Sequence, residues 1–132
     1  MKMAGGFHHI AMKVKDFDKV VDFYVKGLGF TNDIFWGEGD NRAQMIDIGN
    51  NNYIEIFAGG TEDVCPENPG LLHIALRSDD CKYDLEKALN AGAILTMPVT
   101  DIDMETSPVK KIRIAFCKGL QGETIEFFEE RD

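Results

Sequence analysis

His9 and His73 open two runs of the same character, His-Ile-Ala-Met-Lys over 9–13 and His-Ile-Ala-Leu-Arg over 73–77. Glu55 and Glu126 each sit at the centre of a second matched pair, Tyr-Ile-Glu-Ile-Phe over 53–57 and Thr-Ile-Glu-Phe-Phe over 124–128. Side chains of a strand alternate between its faces, so His9, Ala11 and Lys13 share one side while Ile10, Met12 and Val14 share the other. The same parity sets His73, Ala75 and Arg77 against Ile74 and Leu76, and sets each glutamate against its apolar flanks. A carboxylate between large apolar residues is costly to bury alone, and a cation beside it gives a physical reason for its presence. Two imidazoles and two carboxylates, His9, Glu55, His73 and Glu126, suit one divalent ion of borderline character: Zn²⁺, Ni²⁺, Mn²⁺, Fe²⁺ or Co²⁺.

Positioning these groups requires the chain to be built twice. After each histidine strand comes an acidic helix start, Asp16 to Asp18 and then Asp79-Asp80, where a carboxylate can cap the first turn. Phe17, Val20, Val21, Tyr24 and Leu28 follow at helical spacing in the first half, with Gly27 and Gly29 at the end. Cys81, Leu85, Ala88 and Leu89 do so in the second, ending at Gly92. Further strands are expected over 30–36, 41–48, 93–97 and 110–117. Residues 59–70 read as a connector and 98–109 as a long polar loop. The plan is α+β, one domain made of two paired β-α-β-β-β modules, about 7–58 and about 70–129.

Around the tetrad, Lys13 and Arg77 could meet an anionic substrate, and Phe35, Trp36 and Phe57 could wall a pocket. His8 falls by parity on the helix side and reads as structural, whereas Glu123, Glu129 and Glu130 read as surface charge.

Composition narrows the class. The 132 residues fit a single domain, and 44% apolar with 28% charged residues is an ordinary globular balance. A net charge of −9 opposes nucleic acid and anionic membrane surfaces. Cys65, Cys81 and Cys117 are odd in number and widely spaced, which suggests reduced, buried thiols rather than a disulfide framework. No apolar run resembles a signal peptide or a membrane span, so the expected location is cytoplasmic.

The repeated His and Glu strands resemble the vicinal oxygen chelate superfamily, which contains glyoxalase I, methylmalonyl-CoA epimerase, extradiol dioxygenases, fosfomycin-resistance thiol transferases and bleomycin-resistance proteins. The resemblance covers nearly the whole chain. It implies an open, cupped mixed sheet, a homodimer, and one divalent metal per site held by His9, Glu55, His73 and Glu126. A carboxylate at Glu55 favours the glyoxalase-like four-ligand site over the His-His-Glu triad of the dioxygenases. The implied activity is that of a lyase or isomerase: the metal binds the oxygens of a substrate enediolate as a Lewis acid, and a carboxylate shuttles the proton. Glu126 is the candidate base, with Glu55 second. The chain departs from bacterial glyoxalase I at Lys13, where an arginine is usual, and at Gly59, near the usual asparagine, which leaves the use of glutathione open and a different hemithioacetal, an acyl thioester or a keto acid as candidate substrates. Alternatives within the fold are an acyl-thioester epimerase, a dioxygenase, and a drug-binding protein without catalysis.

Overall fold

A computed structural model describes residues 7–61, 72–104 and 109–131. The chain divides into two compact units, residues 1–62 and 63–132, each with its own four-stranded mixed sheet.

In the first unit β1 (His9–Lys13) is followed by α1 (Phe17–Asp22), which runs on through a wider π turn over Phe23–Gly27. Then come β2 (Thr31–Trp36), β3 (Ala43–Gly49) and β4 (Asn52–Phe57). The strand order is β1-β4-β3-β2, with β1 parallel to β4 and the other pairs antiparallel. The sheet's apolar face is the one parity predicts: Ile46, Ile54 and Ile56 are fully buried, as are Val20 and Tyr24 from the helical segment. Phe23 is buried too, its ring edge-on to Tyr24 at 5.0 Å. Between β3 and β4, Gly49 faces Asn52 across a two-residue loop in which Asn50 and Asn51 both have positive φ, the signature of a type I′ hairpin.

The second unit repeats the plan with β5 (Ile74–Arg77), α2 (Cys81–Asn90), β6 (Ile94–Met104), β7 (Lys110–Lys118) and β8 (Thr124–Arg131). Its order, β5-β8-β7-β6, and its parallel β5–β8 pair mirror the first sheet. Leu76, Ile125 and Phe127 are buried in this sheet, and α2, whose Cys81, Leu85 and Ala88 are buried, packs on β6, β7 and β8.

Two expectations from the sequence are corrected. Residues 98–104 are strand rather than loop, because Asp101 and Asp103 are paired across to β7 and β8. Arg113 grips Asp101 with two nitrogens at 2.6 and 3.2 Å and reaches Glu129 at 3.2 Å, while Arg131 bonds Asp103 at 2.7 Å. Such opposite-charge ladders stabilise an edge strand, and Pro98 sits where the pairing register shifts, as an edge tolerates. Residues 105–108 of that loop, and 62–70 of the connector, lie outside the described residues.

The two helix starts also differ. Asp80 accepts a hydrogen bond from the Tyr83 amide at 3.1 Å, whereas Asp16 makes no such bond from its side chain. Asp80→Ala is therefore expected to cost about 0.5–2 kcal/mol of stability, and Asp16→Ala less than about 0.5 kcal/mol. Urea denaturation of the two variants checks this asymmetry. Among the described residues no helix is long and apolar enough to cross a membrane.

Candidate functional site

In the first sheet the parallel pairing sets His9 against Tyr53 and Ala11 against Glu55. His9 Nε2 lies 3.5 Å from Glu55 Oε1. The second sheet repeats the arrangement: Ala75 stands beside Glu126, and His73 Nε2 lies 3.2 Å from Glu126 Oε1. Both glutamates are buried, at 8% and 7% exposure, while both imidazoles face outward. Burial raises the Glu126 carboxyl above its ordinary pKa, opposed in part by His73.

Each half therefore offers one imidazole nitrogen and one carboxylate oxygen, a donor pair that fits a borderline divalent ion. Among the described residues no three His, Cys, Asp or Glu side chains form a ligand group, so each pair supplies two donors.

The residues around each pair are arranged by the same parity. Trp36 and Phe57 stack edge to face at 6.3 Å, with Phe57 on the Glu55 side of β4, and Trp36 is 41% exposed. Phe35 is corrected from the expected wall: its ring turns to Phe17 of α1 at 6.5 Å, on the opposite face. Lys13 is exposed at the end of β1, directly across from Phe57. Arg77 points along its own sheet to Glu130, 3.8 Å away.

Three polar residues have places the sequence did not foretell. His8 is not packed toward the helix: it is exposed, its Nδ1 lies 2.8 Å from His9 Nδ1, and its ring lies 5.0 Å from Tyr53. Glu123 is not surface charge but buried in the β7–β8 turn, accepting from the Gln121 amide at 2.9 Å. Glu129 accepts from the Cys81 amide at 2.8 Å and so ties β8 to the start of α2. Glu130 is exposed, as expected.

Cys81 and Cys117 are free and buried, and Cys65 lies outside the described residues. Burial pushes both thiols up to about 11, helped by Glu129 at Cys81 and by Glu123 at Cys117. In the unfolded chain they ionise near the ordinary value of 9.0, so between about pH 9 and 11 the folded state holds more protons. Stability is expected to fall as pH rises through that window. Replacing both cysteines by alanine should flatten that fall in urea-denaturation measurements across the same range.

Residues 8–105 match the sequence pattern of the Glyoxalase/Bleomycin resistance protein/Dioxygenase superfamily. A comparison with curated protein sequences returns no match. Among solved structures, a glyoxalase family protein from Enterococcus faecalis is similar with a TM-score of 0.74 at 20% identity, over 94% of this chain and 97% of that one. TnmS3, an antibiotic binding protein from Streptomyces sp. CB03234, is similar with a TM-score of 0.71 at 19% identity, over 99% and 100%. A glyoxalase/bleomycin resistance protein/dioxygenase from Alicyclobacillus acidocaldarius gives 0.68 at 16%, over 100% and 96%. At these identities the likeness is one of fold, and it extends through both βαβββ units. By its own sequence the chain belongs to the glyoxalase/bleomycin resistance protein/dioxygenase superfamily.

Proposed function

We propose that the chain is a metal-dependent lyase or isomerase of the glyoxalase I kind, moving a proton at a carbon next to a carbonyl. The observation that carries this reading is the duplicated contact of a buried glutamate with an outward-facing histidine, at 3.5 and 3.2 Å, on matched parallel strand pairs. In this reading His9, Glu55, His73 and Glu126 hold one divalent ion, which when bound would polarise the substrate's oxygens. Glu126 accepts the substrate proton. Its raised pKa suits it to that task, since a base works best when its pKa nears the operating pH. Glu55 is the second carboxylate. Lys13 and Arg77 meet anionic groups of the substrate, while Trp36 and Phe57 cover its apolar part. The working form is a homodimer. Lys13 and Gly59 direct the search toward hemithioacetals and acyl thioesters other than glutathione adducts.

The test is incorporation of solvent deuterium next to the carbonyl, followed by NMR on methylglyoxal hemithioacetals of several thiols and on acyl thioesters. Incorporation with each candidate metal, abolished by chelation and restored on refilling, is expected. The absence of both product formation and incorporation with every metal would overturn the proposal.

The Trp36–Phe57 ring pair favours a second reading, a small-molecule-binding protein without turnover. Trp36 is the chain's one tryptophan, so quenching of its fluorescence by an apolar ligand in the chelated protein, with no turnover after refilling, would establish that reading instead.

A further inference from the structure

We propose that His8 is a positioning residue that sets the tautomer and orientation of His9, so that His9 Nε2 stays free to donate to a metal. This rests on reading His9 as a ligand. A neutral imidazole carries one N–H, so the 2.8 Å approach of His8 Nδ1 and His9 Nδ1 requires one ring to donate and the other to accept. His9 Nε2 is the nitrogen that faces Glu55. To ligate, it must be unprotonated, which puts the His9 proton on Nδ1, donating to His8. His8 Nδ1 accepts and carries its own proton on Nε2.

The local fold holds His8 to that task. It precedes β1, so the strand's alternation does not bind it, and its ring turns onto Tyr53 at 5.0 Å with a 31° tilt. Its carbonyl accepts the Tyr53 amide at 2.8 Å, anchoring the backbone at the same place. Tyr53 is also the register partner of His9, so the residue that holds the His8 ring stands beside His9 in the sheet. The second half lacks the device. Leu72 stands where His8 does, 70% exposed, and His73 meets Phe116 edge-on at 5.4 Å instead of a second imidazole. The two histidine ligands are thus held differently: His9 by a hydrogen bond at its far nitrogen and His73 by an aromatic edge.

Two variants of the full chain separate the acceptor from mere packing. His8→Phe keeps a ring against Tyr53 but removes the acceptor, and His8→Asn supplies an amide oxygen near the lost nitrogen. Imidazole ¹⁵N NMR of the metal-free protein reads the His9 tautomer directly, and optical titration with Co²⁺ reads affinity. In the wild type the His9 proton is expected on Nδ1. His8→Phe is expected to move it toward Nε2 and to weaken Co²⁺ binding about 10–100-fold, the usual effect of losing such a partner. His8→Asn should recover most of both. A His9 proton on Nε2 in the wild type, or a His8→Phe variant that keeps tautomer and affinity, would overturn the proposal. A wild type that has the expected tautomer yet binds no Co²⁺ would overturn the metal reading while supporting control of His9 by His8.

Discussion

Glu126→Gln is expected to lower turnover by about 10²–10⁴-fold, the contribution of a positioned general base. The substitution keeps the side chain's size and one oxygen, so the fold and much of the metal affinity should survive. What it removes is the proton acceptor. Glu126 is buried in β8 between Ile125 and Phe127, and that setting raises its pKa while His73 holds it from the other side. Glu55→Gln should cost less, since Glu55 is the second carboxylate in this account. Steady-state kinetics on the substrate found by deuterium incorporation, with metal content measured on the same samples, checks the pair. Equal losses in both variants would reassign the base, and full activity in Glu126→Gln would remove Glu126 from proton transfer.

The second large effect is structural. Ile54 and Ile125 each precede a candidate ligand, and each is fully buried beneath its own sheet. Replacing either by alanine empties part of a packed core and is expected to cost about 2–5 kcal/mol. Because the positions correspond between the halves, the two costs should be similar. Urea denaturation gives both numbers. A cost below about 1 kcal/mol at one site would mean that its sheet repacks around the loss.

The same strand parity that fixes these cores made much of the molecule readable in advance. A side chain two residues along a strand returns to the same face, so Ile54, Glu55 and Ile56 sort themselves without any knowledge of partners. The internal repeat then doubles each inference, as with His73 and Glu126 against His9 and Glu55. What escaped depends on groups far apart in sequence. Asp101 and Asp103 look like loop residues until Arg113 and Arg131 stand across from them. Glu129 looks like surface charge until the Cys81 amide, forty-eight residues away, points at it. Glu123 is buried against Gly119, where a Cβ would stand 2.5 Å from the Glu123 carboxyl carbon. Phe35 follows strand parity after all, facing α1 while its neighbour Trp36 faces the other way; only the expected wall placed them together. His8 shows where parity stops, one residue before the strand begins.

The duplicated His–Glu pair carries the account, and metal stoichiometry tests it most directly. Elemental analysis of the purified protein, chelated and refilled, should find about one divalent ion per chain in the wild type and little in His73→Ala or Glu126→Ala. A wild-type chain that takes up no metal on refilling, or variants that retain it in full, would contradict the metal centre and leave a fold suited to binding small molecules.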